Sequence, residues 1–302
     1  MRPAPHLWGI DLGGTKIEGV IMDSSRPGMA LHRLRKDTGS ALGYSHVLNQ
    51  ISAVVADLES VSGLARPERL GIGTPGAVEP GSGMLKNSNS TCLNGQPLRD
   101  DLEAALGCEV TMANDANCFA LAEARWGAAA GADVVLGLIL GTGVGGGVVI
   151  GGRPLQGLHG IAGEWGHNPL CGESHPCYCG RVGCVETVIA GPSLERFYRE
   201  LGGETVLLPE IARRAAAGED LATATLTRLR KKFAEAIAAV INILDPDVIV
   251  IGGGVGNLAL LYEAETHAEV LRHVFNKELR TRFLAPLLGD SAGVFGAALL
   301  VA

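Results

Sequence analysis

Two stretches far apart in the chain share one layout. Leu7 to Leu12 is an apolar run, Gly13-Gly14-Thr15-Lys16 follows, and a second strand runs from Ile17 to Met22. Much later Val134 to Leu140 is apolar, Gly141-Thr142-Gly143 turns the chain, and Gly145 to Ile150 resumes as a strand. Each reads as a β-hairpin with a glycine-threonine turn. Adjacent glycines let backbone N–H groups point at an anion, the Thr15 hydroxyl adds a donor, and Asp11 can sit near a phosphate-bound magnesium. One such turn is also a plain chain reversal. Two of them in two halves of the chain imply a nucleotide held in a cleft between two related domains. A third apolar run, Val248 to Ile251, ends in Gly252-Gly253-Gly254 and is expected to pass close to the adenosine. No glycine-lysine-serine/threonine follows at P-loop spacing, and the glycines sit in hairpins where a dinucleotide fingerprint needs strand-to-helix turns.

The 302 residues suffice for two domains with a well-buried core. The 43 glycines cluster at strand ends, which points to backbone approaching a ligand. Although 47% of residues are hydrophobic, no uncharged apolar run reaches about 18 residues, so no membrane span is expected. A formal net charge of −7 gives no footprint for nucleic acid. Seven cysteines, an odd number, without a secretory signal fit a reducing cytoplasm.

The densest chemistry lies between Gly163 and Glu186, GEWGHNPLCGESHPCYCGRVGCVE. Cys177 and Cys179 are one residue apart, and Gly180 and Gly183 let Cys184 turn back toward them. With His167 as fourth ligand this spacing suits a tetrahedral zinc ion. Cys171 and His175, in the same loop, are competing ligands. With every ligand position filled by protein the ion has no open place for substrate, so the site is expected to be structural. It would pin the loop and hold Glu164 and Glu186 on either side as a clamp for a polar ligand.

Helical spacing is expected over Ser45 to Val61, Gln96 to Leu106, Cys118 to Trp126, Ile211 to Ala217 and Thr223 to Leu244, and strands over Leu70 to Thr74 and Glu109 to Met112. Asp245-Pro246-Asp247 is a break, and a terminal apolar helix starts near Gly293. Pro75-Gly76 either brings backbone to a ligand or simply turns. The polar run KNSNSTCLNGQPLRD from Lys86 is either solvated or a set of partners for hydroxyl groups. Asp115, at a strand-to-helix junction, is either an N-cap or a general base.

Taken in order, DLGGTK from Asp11, TPG from Thr74, NDAN from Asn114, LGTGVGGG from Leu140, GEWGH from Gly163, CYCGRVGCVE from Cys177 and DPDVIVIGGG from Asp245 resemble the ROK family of sugar kinases over essentially the whole chain. Within it, KNSNSTCLNGQP and AGEWGHNPL look most like the bacterial fructokinase, mannokinase-like branch. The resemblance implies the actin-like, ribonuclease-H-like ATPase fold of two α/β domains around a cleft. We expect an N-terminal domain over 1–115, completed by a C-terminal helix at about 290–302, and a larger domain over 116–289 carrying the zinc loop.

The resemblance also implies roles. Asp115 matches the catalytic base that takes the proton of the sugar hydroxyl attacking the γ-phosphate of ATP. Gly76, Asn89, Asn114, Asp115, Glu164, His167 and Glu186 match sugar-binding positions, with His167 also a zinc ligand beside Cys177, Cys179 and Cys184. Gly13, Gly14, Thr15 and Lys16, and Gly141, Thr142 and Gly143, match the phosphate turns. Asp11 matches the carboxylate near Mg2+, and Gly252, Gly253 and Gly254 the adenosine side. Cys92 stands where the branch tends to carry an aromatic. The implied reaction is ATP-dependent phosphorylation of fructose to fructose 6-phosphate, with N-acetylglucosamine kinase or glucokinase as the alternative. A non-catalytic sugar sensor is the weaker rival, since Asp115 and both phosphate turns are intact. The family's DNA-binding repressors carry an N-terminal helix-turn-helix, and this chain starts almost at its first strand. A cytoplasmic homodimer is the family's habit.

Overall fold

The computed structural model describes residues 6–302. The chain divides into two compact units. The first runs to Ala130 and takes in Gly152–Ala162 and Leu287–Ala302; the second is Gly131–Gly151 with Gly163–Pro286. The division differs from the expected boundary at 115/116. The helix Asp115–Arg125 belongs to the first unit because it packs on the C-terminal helix Ala292–Leu299: a Cβ at Gly296 would lie 1.8 Å from the Cys118 carbonyl oxygen. Only glycine allows that approach of two helix backbones.

In the first unit five strands stand in the order Ala30–Asp37, Lys16–Asp23, His6–Leu12, Arg69–Thr74, Glu109–Asn114. The first three pair antiparallel and the last three parallel. The expected hairpin is present, with Leu12 opposite Ile17. One face carries the helix Tyr44–Ser62, whose buried Val47, Ile51, Val54, Val55 and Leu58 form a single stripe at helical period. The other face carries the C-terminal helix, which touches the sheet at glycine: a Cβ at Gly71 would lie 1.8 Å from the Ala297 carbonyl oxygen. The strand Ala30–Asp37, which apolar spacing did not reveal, alternates half-buried and exposed residues, as an edge strand does.

The second unit repeats the plan. Val134–Leu140 and Val144–Ile150 form an antiparallel hairpin, and Val248–Gly252 and Arg282–Leu284 continue it in parallel. Its core joins Leu136, Leu138, Val148, Ile249 and Ile251 of the sheet to Leu229, Phe233, Ile237 and Ile241 of the long helix Asp220–Leu244. That helix ends as expected: Asp245 takes a left-handed conformation and Pro246 cannot extend the helix. Asp247 then accepts N–H bonds from Asp133 and Val134 at 3.0 and 2.9 Å, fixing the strand after the break to its neighbour. Among the described residues no helix is long and apolar enough to cross a membrane.

Candidate functional site

The first unit brings its sequence-expected residues to one end of the sheet. In the Gly13–Lys16 turn, the Gly13 N–H donates to the Lys16 carbonyl at 2.9 Å. The turn's other carbonyls are engaged from Thr38 and Ser40. Thr38 donates its N–H to Thr15 O at 2.9 Å and its hydroxyl to Gly13 O at 2.7 Å, and Ser40 donates to Gly14 O at 3.2 Å. Bracing the acceptors leaves the glycine turn able to present N–H groups to an anion. Thr38 and Ser40 carried no signal in the sequence, because their partners are main-chain atoms more than a strand away.

In the NDAN segment the helix cap is not Asp115. The cap is Asn114, whose Oδ1 accepts the Asn117 N–H at 2.8 Å. Its NH2 group can still donate to a ligand. Asp115 is the first helical residue, and its Oδ1 accepts the Ala116 N–H at 2.8 Å. Desolvation by the surrounding protein raises the pKa of the Asp115 carboxyl, opposed by the N–H groups of Ala116 and of Asp115 itself. Asp11 is pushed up to about 7, first by burial and then by the charges of Asp115 and Glu18. The β-register places Glu18 directly opposite Asp11, and Glu18 is itself held by Arg33 and by Arg35, the latter at 2.6 Å. Asp11 thus lies close enough to Asp115 and Glu18 for their charges to oppose its ionisation, a setting that a cation would relieve.

The polar loop from Lys86 is built and not simply solvated. Ser88 donates its N–H to Asn94 Oδ1 at 2.8 Å and accepts from Asn94 Nδ2 at 2.9 Å, so one side chain clips the loop. Ser88 and Ser90 point inward, while Asn89 between them is exposed. Gly76 packs against this loop, since a Cβ there would lie 2.5 Å from the Lys86 carbonyl oxygen, and Thr74 fixes it by donating to Gly76 O at 2.8 Å. Cys92, the departure from the branch, packs against the core of the first unit.

In the second unit the Gly141–Gly143 turn closes with a Gly141 N–H bond to Gly143 O at 2.9 Å. Glu186 meets it: Oε2 accepts the Val144 N–H at 2.9 Å, and a Cβ at Gly143 would lie 2.7 Å from that oxygen. One carboxylate is thereby keyed to the Gly141–Gly143 turn, with its second oxygen able to accept from a further donor. Glu164 and His167 flank the short turn Trp165–His167, pressed onto the same hairpin: a Cβ at Gly166 would lie 2.2 Å from Val144 O. The Gly252–Gly254 cluster abuts the partner strand at the same, turn end of that hairpin. Gly253 has φ 82°, and a Cβ there would lie 2.4 Å from Leu140 O. Tyr262, a further residue that spacing did not reveal, donates its hydroxyl to Ile251 O and Gly256 O at 2.8 and 2.6 Å and holds the cluster's far side.

His167, Cys177, Cys179 and Cys184 converge, their donor atoms all within 4.8 Å of one another. Cys177 Sγ lies 3.6 Å from His167 Nδ1, and Cys179 Sγ 3.6 Å from Cys184 Sγ. Ligand-to-ligand edges of about 3.4–3.8 Å are what a tetrahedral ion of zinc's size requires. Cys171 and His175 are outside the group, so the side chains brought together are those of the other four. The outer nitrogen, Nε2, meets the Tyr178 hydroxyl at 3.0 Å, an aromatic contact that was visible inside the Cys-x-Cys pair but had no assigned role.

Comparisons with known proteins agree with these motifs. The profile described as the ROK family matches residues 7–302. The N-acetyl-D-glucosamine kinase of Aliivibrio salmonicida is 35% identical over 303 aligned positions, covering 97% of this chain and 98% of that one. Among solved structures, the ROK hexokinase from Thermus thermophilus superposes with a TM-score of 0.84 at 34% identity, covering 98% of this chain and 97% of that one. The ROK family glucokinase from Streptomyces griseus, solved with glucose and AMPPNP, gives 0.78 at 28% identity, covering 98% of each chain. The fold they share is the actin-like ATPase fold. With the profile spanning nearly every residue and a relative of that identity matched end to end, the chain belongs to the ROK family.

Proposed function

We propose that the protein is an ATP-dependent hexose kinase and that N-acetylglucosamine, ahead of fructose, is its acceptor. The observation that carries the kinase reading is the pair of crowded carboxyls, Asp11 and Asp115, with capping at the helix start taken over by Asn114. A carboxylate with a raised pKa is a stronger base, and Asp115 is the group that would take the proton from the attacking sugar hydroxyl. Gly76, Asn89, Asn114 and Asp115 are the sugar-binding candidates of the first unit, and Glu164, His167 and Glu186 those of the second. A carboxylate accepts two hydroxyl hydrogen bonds well, which suits both glutamates.

Gly13, Gly14, Thr15 and Lys16 are the phosphate-turn candidates of the first unit, Gly141, Thr142 and Gly143 those of the second, and Gly252–Gly254 the candidates for the adenosine side. Asp11 would stand by Mg2+, whose chemistry is neutralisation of charge on the transferring phosphoryl group. Zn2+ fits the His167, Cys177, Cys179 and Cys184 donor set and would be structural. Bound through Nδ1, the ion would fix the ring of His167 with Nε2 against the Tyr178 hydroxyl. The free thiols fit a reducing, cytoplasmic setting, and a homodimer is the expected assembly.

The end-to-end match to an N-acetyl-D-glucosamine kinase favours the acetylated sugar over the fructose that the Asn-Ser-Thr loop suggested. A coupled ADP-release assay with Mg-ATP against fructose, mannose, glucose, N-acetylglucosamine and N-acetylmannosamine tests both parts. The highest kcat/KM on N-acetylglucosamine is expected. Highest kcat/KM on fructose would return the reading to the fructokinase branch, and no turnover on any sugar would overturn the kinase.

A further inference from the structure

Glu123 is a carboxylate with no exposure to solvent, two helical turns beyond Asp115 on the same helix. A buried charge is costly unless hydrogen bonds replace its water. Here the replacement is entirely main-chain. Oε2 accepts the N–H of Ala128 at 2.8 Å and of Leu287 at 3.1 Å, and Oε1 accepts the N–H of Leu288 at 2.9 Å. The residue's own carbonyl accepts from Gly127 at 3.2 Å and Ala129 at 3.0 Å, so the turn after the helix wraps around it. Gly127 makes room for this: a Cβ there would lie 2.0 Å from Glu123 Oε2.

The three donors are not scattered. Ala128 lies just before Gly131, where the chain leaves the first unit, and Leu287 is the residue at which it finally returns. One carboxylate therefore fixes to the first unit both the outgoing segment and the returning one. Resting on the kinase reading above, we infer that Glu123 is a positioning residue: it anchors the first and the last of the four segments by which the chain passes between its units, so that flexing there on substrate binding is confined to residues beyond the anchored amides. A firm anchor makes the closing movement reproducible, and closure is what lets a kinase exclude water as an acceptor. Nothing in the motifs that carry the family resemblance points to this residue.

The test uses the full-length protein and Glu123→Gln, which keeps the side chain's shape but turns an amide NH2 toward a backbone donor. Amide hydrogen exchange followed by mass spectrometry, without ligand, is the first readout. The Ala128 and Leu287–Leu288 amides are expected to be protected in the wild type and to exchange more than about tenfold faster in the variant, while the Val54 region is unchanged. The second is coupling: ATP hydrolysed without sugar, relative to sugar phosphorylated, is expected to rise by about tenfold or more, with sugar KM changing less than kcat.

A folded variant with wild-type coupling and wild-type exchange at these amides overturns the inference. So does faster exchange with unchanged coupling, which would leave Glu123 a structural buttress only. Should Glu123→Gln fail to fold, Leu288→Pro removes a single donor at a residue whose φ of −88° tolerates proline, and the same two readouts apply. If the wild type phosphorylates no sugar, the kinase reading fails and the positioning role falls with it, whereas exchange data alone then report whether the buried anchor exists.

Discussion

At the scale of single residues the most telling exchange of roles is between Asn114 and Asp115. Either could cap the helix, and in the sequence the two are adjacent polar residues at a strand-to-helix junction. The structure hands the cap to Asn114 and leaves the Asp115 carboxyl open at the helix start, with its pKa raised. Asp115→Asn is therefore expected to keep the fold, sugar binding and melting temperature near wild type while lowering kcat by roughly 10²–10⁴-fold, the usual worth of a general base. Circular dichroism with the coupled assay checks it, and kcat within a few-fold of wild type would remove Asp115 from the mechanism. The cap could not be apportioned in advance because it depends on which oxygen reaches the Asn117 N–H, a matter of backbone geometry and not of residue type. The same holds for Thr38, Ser40 and Tyr262, whose roles are bonds to distant main-chain atoms.

At the scale of elements, the two hairpins were legible because apolar runs and glycine-threonine turns are local signals. Val134–Leu140 starts and stops where its apolar run does. The strand Ala30–Asp37 escaped because an edge strand with charge at alternate positions resembles a solvated loop. The cysteine knot was legible from spacing, and it yields a test. Cys179→Ser, or removal of metal by a chelator, is expected to raise sugar KM by about tenfold or more while ATP affinity changes little, because the loop carrying His167 loses its pin. Metal analysis of the purified protein accompanies it; unchanged metal content and sugar KM in the serine variant would exclude the pinning role. The helix contacts are equally specific. A Cβ at Gly296 would stand 1.8 Å from Cys118 O, so Gly296→Ala is expected to cost roughly 1–3 kcal/mol by overpacking, measured by denaturant unfolding. A stability unchanged by the methyl would mean that the two helices separate more easily than their packing implies.

At the scale of the whole molecule, what remained hidden in the sequence was which pieces of chain make up each unit. That 152–162 and 287–302 join the first unit depends on pairing between residues remote in sequence, to which periodicity is blind. Global stability also carries the imprint of the Asp11 site. Its carboxyl titrates at 3.8 when unperturbed and at about 7 in the folded chain, where burial and then Asp115 and Glu18 oppose ionisation. Below the lower value both states hold the proton. Between 3.8 and about 7 the folded chain keeps a proton that the unfolded chain has released, so stability falls as pH rises through that window and the loss is complete above it. The full loss is at most about 4 kcal/mol, from the worth of a pKa unit. Asp11→Asn, which cannot ionise, should lack this slope. Denaturant unfolding of the ligand-free protein in a chelator, at about pH 5 and about pH 8, is therefore expected to show the variant gaining on the wild type by a few kcal/mol at the higher pH. Equal differences at both pH values would mean that Asp11 ionises freely in the folded chain. The carboxyl would then have no unmet demand for a cation, and the reason for placing Mg2+ beside it would be gone.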